Sequence, residues 1–447
     1  MSEMELNKLK DIIRSSGAVG AGGAGFPTYA KLDPRATTII LNCAECEPLL
    51  KLHRQVMEHY AREILTALQF VADAVKAEEV IIAIKPSYKS AVEAINAEIG
   101  EFPGFRIGFL PEVYPAGDEV VATYEVTGKV VPAGKLPIDV GVTVFNVETM
   151  LNVYNAVTSG MPVVDKYITV TGAVKNPVTL KVPVGIAFSE LIRLAGGAAI
   201  ENTENYVLIS GGPMTGALAS PADVVTKTTN AVLVLPEEHY VVLKKKCNPS
   251  VEMKRAMASC CQCRMCTDLC PRFLLGHPIE PNAFMRSASS GVTSDVTPYL
   301  NTYFCCSCGL CEMYSCFQSL SPRSLMDKCK AELRKNCVPA PKVETAPVNP
   351  QRSGRYVPTS RLLSRLKLSE YNNPAPLSDT LVGANRVKLM LRQHVGVPAL
   401  PVVAEGQAVA RGQMVARVDD TKLGCPVHSP IDGTVKRITE QYILIEK

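Results

Sequence analysis

The chain has 447 residues, 47% hydrophobic and 20% charged, which leaves room for several domains, each with its own core. A net charge of +4, with no basic run interleaved with aromatics, argues against nucleic acid as a partner. The first residues mix acids and bases without an apolar core, and no apolar run approaches the roughly 20 residues a spanning helix needs, so neither a secretory signal nor a transmembrane segment is expected. Sixteen cysteines in such a chain point to a reducing compartment and to metal ligation, not to disulfides.

Leu6, Leu9, Ile12 and Ile13 share one face of a helix predicted to end near Gly17. Next comes Gly20-Ala-Gly22-Gly23-Ala-Gly25-Phe26-Pro27, a literal G-x-G-x-x-G. A helix rather than a strand precedes it, so a standard dinucleotide fold is not implied. Backbone without side chains can still bring several N–H groups against a phosphate. Thr37–Leu41 reads as a buried strand ending in Asn42-Cys43-Ala44-Glu45-Cys46-Glu47-Pro48, two acids on a loop at a strand's carboxyl end. Cys43-x2-Cys46 lacks the following helix that would lower a thiol pKa, which argues against a redox dithiol. A long amphipathic helix to about Ala74 should follow. Strand Val80–Ile84, helix Ser87–Ala97 and strand Phe105–Leu110 then continue a βαβ rhythm and a mainly parallel sheet. Tyr114-Pro115-Ala116-Gly117-Asp118-Glu119 follows one strand; Asn146-Val147-Glu148-Thr149 follows Val142–Phe145 and opens a helix.

These four segments resemble the flavin- and NADH-binding segments of the NADH-oxidising subunit of respiratory complex I, and more closely those of the C subunit of the Rnf electron-transport complex. The resemblance implies a modified Rossmann-like α/β domain holding FMN, with NADH as electron donor. It implies cofactor contacts from Gly20, Gly22, Gly23, Gly25, Lys31, Asn42, Gly117, Asp118, Asn146, Glu148 and Thr149, with Glu45, Glu47 and Glu119 as catalytic acids. Ala44 stands where the complex I loop carries Asp.

Tyr167–Val170 and Val178–Val182 read as two strands around the turn Lys175-Asn176-Pro177. Ser189 is expected to cap a short helix ending at Gly196-Gly197, and Tyr206–Ile209 and Ala231–Leu235 to add strands. This suggests a β-grasp module. It resembles the soluble-ligand-binding (SLBB-like) domain of the same family, with Gly211-Gly212-Pro213-Met214 as its linking loop.

A cysteine figure then occurs twice. Cys260, Cys263, Cys266 and Cys270-Pro271 complete the bacterial ferredoxin run C-x2-C-x2-C-x3-C-P. Cys305, Cys308 and Cys311 repeat the triplet, but four residues precede Cys316, and Phe317 stands where the pattern has proline. Three thiolates on one turn can hold three irons of a cubane, and in two-cluster ferredoxins the fourth comes from the partner motif. One [4Fe–4S] cluster is therefore assigned to Cys260, Cys263, Cys266 and Cys316, the other to Cys305, Cys308, Cys311 and Cys270. Cys261 and Cys306 repeat in register but break the spacing, and read as packing residues or as neighbours that support the ligands. Zinc would want two short pairs, which fits two triplets plus two singles poorly. Asp268 and Glu312 are expected to bias the potentials downward, and His277 to be a satisfied surface histidine.

Val338–Pro358 is proline-rich and reads as an extended linker. Short strands at Val387–Leu391, Gln407–Val409, Met414–Val418, Thr434–Ile438 and Ile443–Ile445 look like the barrel-sandwich hybrid of biotinyl and lipoyl domains. Lys422 falls ten residues before Asp432-Gly433, where a lipoyl lysine would sit, yet Thr421 replaces the usual Asp. A bare docking module is expected.

The expected architecture is multidomain α/β and α+β. It runs as an FMN/NADH-binding domain (1–163), a β-grasp domain (164–245), a two-cluster ferredoxin-like helical domain (246–337), a linker (338–384) and a barrel-sandwich hybrid (385–447). In the Rnf C subunit the barrel comes first. By domain order the chain is identified as a member of the cobalamin reductases of propanediol-utilising bacterial microcompartments. That membership implies a cytoplasmic enzyme within a microcompartment, passing electrons from NADH through FMN and two clusters to a corrinoid. Expected partners are a corrinoid or a corrinoid-carrying adenosyltransferase or diol dehydratase, and shell or cargo proteins. Two alternatives stand: a peripheral electron-transfer subunit of an Rnf-type ion-pumping complex, and a non-enzymatic redox-sensing iron–sulfur protein.

Overall fold

Four parallel strands carry the first domain, in the spatial order Phe105–Phe109, Glu79–Ile84, Thr38–Asn42, Val142–Asn146. The computed structural model describes residues 5–200 and 205–447. Unbroken apolar runs suit this sheet because helices cover both faces. Ile39 and Leu41 pack in one core with helices Leu6–Ser15, Ala61–Val75 and Val147–Ser159, whereas Ile40 packs on the other side with Ala122. The long helix expected to Ala74 is instead two, Leu52–His59 and Ala61–Val75. Tyr60 interrupts it with φ −131°, and its phenol bonds Asp379 and Tyr167.

The second domain is a six-stranded sheet in which Asp165–Gly172 pairs antiparallel with Val178–Pro183 and parallel with Ala231–Pro236. Helix Phe188–Leu194 packs on it. Ser189 lies inside the first turn and does not cap it; the free amides of Phe188 and Ser189 bond Asp223 and Pro221 carbonyls, so a tertiary loop replaces the cap.

Short helices surround the cysteine motifs, from Pro249–Ser259 to Pro322–Lys335, and bury Phe284, Phe304, Leu325 and Met326 between them. The C-terminal residues form two small sheets around a core of Val387, Leu389, Val415, Val435 and Ile445.

The stretch between clusters and barrel is not a free tether. Val357–Pro358 pairs with Val113–Tyr114, and Leu377–Leu381 adds a strand beside Val178–Pro183. Leu362, Leu366 and Leu368 are fully buried with Leu310 and Met313. Proline-rich composition hid these apolar anchors, and they lace the flavin-type, β-grasp and cysteine-bearing domains together.

Candidate functional site

A cleft of about 590 Å³ opens at the carboxyl ends of Thr38–Asn42 and Val142–Asn146, where parallel sheets place ligands. Gly20, Gly22, Gly23 and Gly25 line one wall; Lys31, Asn42, Gly117, Glu119, Asn146 and Thr149 line the rest. Gly23 has φ +68°, and the place its Cβ would occupy has nothing within 4 Å, so bare backbone faces open space. A Cβ on Gly22 would stand 2.8 Å from the Asn230 amide, and one on Gly117 2.7 Å from the Ala44 carbonyl. The loop is held from behind, since Ala21 N–H donates to Thr149 Oγ1 at 2.9 Å.

Two cations line the cleft, Lys31 and Arg35, and Arg35 is paired with Asp33 at 2.7 Å. Lys31 Nζ donates to Glu119 Oε1 at 2.8 Å and to the Val144 carbonyl at 3.0 Å. Asn42 Nδ2 donates to the Gly117 carbonyl at 2.8 Å, joining two of the loops. Glycine backbone, a lysine, an arginine and several amides fit a phosphate-bearing flavin nucleotide.

Four acids implied by the resemblance do not line the cleft. Glu47 accepts from Met214 N–H at 2.9 Å and Thr215 N–H at 2.8 Å, and so holds the loop of the second domain. Asp118 caps helix Glu119–Thr127 and pairs with Arg272 at 2.8 Å. Glu148 is buried against Lys166, whose Nζ also reaches Asn230 Oδ1 at 2.9 Å. Glu45 is buried 3.9 Å from Arg54, and burial pushes its carboxyl up. Burial likewise pushes the Cys43 and Cys46 thiols up, Cys46 to about 11, opposite to the needs of a redox dithiol.

Several lining residues escaped the sequence reading, among them Arg35, Asn230 and His53. Asn230 comes from the second domain, and no local motif marks it. His53 lies on helix Leu52–His59, and its Nε2 accepts from Asn146 Nδ2 at 2.9 Å. Burial, with Lys166 nearby, lowers its pKa to about 3, so the ring is neutral.

The ten motif cysteines gather around two voids. Cys260, Cys261, Cys263, Cys266 and Cys316 border one of about 30 Å³, and Cys270, Cys305, Cys306, Cys308 and Cys311 border one of about 20 Å³. This grouping joins each triplet to the single cysteine of the other motif. The two turns share one backbone shape: Gln262 and Ser307 have φ +56° and +55°, Arg264 and Gly309 +65° and +79°. Non-glycine residues rarely hold such angles, and they persist where surrounding structure over-determines them. Ser307 N–H donates to Cys305 Sγ at 3.3 Å and Leu320 N–H to Cys316 Sγ at 3.4 Å. Among the described residues no three His, Cys, Asp or Glu converge as ligands of a single ion; the cysteines gather instead in two groups, each a triplet joined by the other motif's single cysteine, which suits a pair of multi-iron groups. Asp268 pairs with Arg355 at 3.0 Å and Glu312 with Arg323 at 3.4 Å, which offsets the negative bias expected of them. His277 is buried, not on the surface, with Nε2 3.0 Å from the Val131 carbonyl.

Four family models match: the Nuo51 FMN-binding domain over residues 13–155, the SLBB domain over 167–218, the 4Fe-4S dicluster domain over 259–321 and the RnfC barrel sandwich hybrid domain over 370–447. Cobalamin reductase PduS of Citrobacter freundii is 40% identical over 441 residues, covering 98% of this chain and 96% of that protein. Its counterpart in Salmonella typhimurium is 39% identical over 449 residues, covering 99% and 98%. The C subunit of the Na(+)-translocating ferredoxin:NAD(+) oxidoreductase complex of Acetobacterium woodii is 33% identical, covering 61% of this chain and 59% of that one. Among solved structures, an NAD+-reducing [NiFe]-hydrogenase aligns with TM-score 0.47 and 18% identity over 77% of this chain and 69% of that one. Matched end to end by the two cobalamin reductases, with FMN-binding and 4Fe–4S dicluster domains in one polypeptide, the chain belongs to the cobalamin reductase PduS family of oxidoreductases.

Proposed function

We propose that this chain is an NADH-dependent corrinoid reductase, with FMN in the glycine-lined cleft and a [4Fe–4S] cluster in each thiol cage. The carrying observation is that cleft and cage are built on one loop. Gly117 and Glu119 line the cleft, while Asp118 between them pairs with Arg272, two residues beyond Cys270. When bound, FMN supplies the exchange between a two-electron donor and one-electron carriers, and the cubanes supply single-electron carriage.

The chain's own residues bind and orient. Lys31 presents an ammonium to an anionic group, and Gly23 lets that group approach the backbone. Glu119 holds that ammonium in place, and Asn230, steadied through Lys166 by Glu148, closes the glycine side. Cys260, Cys263, Cys266 and Cys316 are the proposed ligands of one cluster, and Cys305, Cys308, Cys311 and Cys270 of the other. The end-to-end match to cobalamin reductases, against 61% for the ion-translocating relative, favours a corrinoid acceptor over a role in a membrane complex. Among the described residues no helix is long and apolar enough to cross a membrane. This reading implies an adenosyltransferase or diol dehydratase as corrinoid-carrying partner, inside a microcompartment.

The test is anaerobic purification with iron, sulfide and flavin analysis, followed by NADH and then aquacobalamin. Bleaching of the iron–sulfur absorbance by NADH and its recovery on adding corrinoid is the expected result. Absence of bound flavin, or of bleaching, overturns the reading.

A further inference from the structure

The two thiol cages stand differently to the cleft. Cys270, Cys305, Cys308 and Cys311 are tied to the loop 114–119: the Tyr114 hydroxyl donates to the Cys308 carbonyl, and Arg272 pairs with Asp118. The other cage borders open surface. Met265 and Phe317, the chain neighbours of Cys266 and Cys316, form with Leu269 and Tyr314 the floor of a depression of about 520 Å³. Helix Thr359–Arg365 supplies the facing wall, with Arg361, Ser364 and Arg365.

This surface is unusual for its place. Phe317 is 58% exposed and Met265 37%, although apolar side chains beside a buried redox group normally shield it. Arg365 donates to the Cys316 carbonyl at 3.3 Å, and Arg361 stands beside it with no carboxylate partner among the described residues. A flat apolar floor with a cationic edge complements a large ring that carries an anionic group at its rim. A corrinoid has that chemistry: methyl-studded macrocycle faces and a phosphodiester in the nucleotide loop.

We infer that this depression is the electron exit port and docks the corrinoid acceptor itself, ring against Phe317 and Met265, phosphodiester toward Arg361. The inference rests on the corrinoid reductase reading above. It sets the order of the chain: cleft, then the Cys270/Cys305/Cys308/Cys311 cage, then the Cys260/Cys263/Cys266/Cys316 cage, then corrinoid. The electrons balance: one NADH gives NAD+, a proton and two electrons, which reduce two aquacobalamin(III) ions to cob(II)alamin, each releasing its axial water.

The test uses the full chain and two substitutions that avoid the proposed ligands. Ser364→Trp fills the depression, and Arg361→Glu reverses the charge at its edge. Aquacobalamin binding to the oxidised protein is measured by ultrafiltration, with iron, sulfide and flavin content as the check on folding. Both variants should bind aquacobalamin at least about tenfold more weakly than the unaltered chain. If the unaltered chain reduces aquacobalamin with NADH and both variants bind it as tightly as before, the port is wrong while the reductase reading stands. If the unaltered chain does not reduce it, the reductase reading fails first. Corrinoid affinity unchanged, with an acidic partner protein released by Arg361→Glu, likewise overturns the proposal and assigns the surface to protein docking.

Discussion

Asp118 uses one carboxylate oxygen to cap helix Glu119–Thr127 and gives the other to the Arg272 guanidinium at 2.8 Å. Both side chains are 15% exposed, so this is a largely buried contact between the cleft loop and the first cysteine motif. Removing one partner of a fully buried pair costs about 3–5 kcal/mol, because the other charge is left uncompensated. Residual exposure reduces that figure, and Arg272→Leu should cost about 2 kcal/mol in chemical denaturation. Stopped-flow with NADH should then show flavin bleaching at the unaltered rate and slower cluster bleaching.

Glu47 separates two roles that the sequence merged. Both of its oxygens are engaged by the loop of the second domain, with Thr215 Oγ1 at 2.5 Å in addition to the two amides. Hydrogen bonds to a charged group contribute about 1.5–3 kcal/mol each and are not additive. Glu47→Ala should lower stability by about 3 kcal/mol in denaturant unfolding while flavin content and NADH-driven bleaching persist. Loss of bleaching in protein of normal flavin content would return Glu47 to the reaction centre.

Local patterning made most of the scaffold legible. Unbroken runs such as Ile39-Ile40-Leu41 announced a parallel sheet buried on both faces, and the cysteine spacings announced two paired cages. The glycine loop could be read as an anion cradle although a helix precedes it, because that role depends on backbone freedom and not on a motif. What stayed hidden depends on distant partners. Asn230 reaches the cleft from another domain, Tyr60 breaks a helix that its periodicity supports, and Leu362 and Leu366 anchor a stretch whose prolines suggested a tether. The acids of the cleft loops show the same limit. Sequence places Glu45, Glu47, Asp118 and Glu148 beside the site, but only tertiary contacts reveal that Glu47, Asp118 and Glu148 are engaged by partners outside the cleft.

Lys31 is the lining cation set deepest in the cleft wall, bonded to the Val144 carbonyl, whereas Arg35 is exposed and paired with Asp33. A charge-assisted hydrogen bond contributes about 1.5–3 kcal/mol, equivalent to roughly 10- to 100-fold in a dissociation constant. Lys31→Met should weaken FMN binding by that factor, read by flavin fluorescence on reconstitution. Riboflavin, which lacks the phosphate, should bind both forms alike. An equal loss for riboflavin would mean that the lysine supports the cleft without contacting the phosphate.

Acid sensitivity follows from histidines folded away neutral. Burial lowers His53 and His428 to about 3, with Lys166 and Lys227 respectively adding repulsion, and burial also lowers His277 and His394. In the unfolded chain each titrates near about 6.5. Above that value both states are neutral and these groups leave stability independent of pH. Below it the unfolded chain takes protons that the folded chain refuses, so stability falls as pH drops from about 6.5 toward 3. Each strongly lowered histidine contributes a slope approaching about 1.4 kcal/mol per pH unit, so His53 and His428 together should remove about 2–3 kcal/mol between pH 7.5 and 5.5. Denaturation at those two pH values measures the loss. His53→Gln, which keeps an acceptor for Asn146 but has no titrating ring, should lose about half of that difference; an unchanged loss would show that other groups set the acid sensitivity.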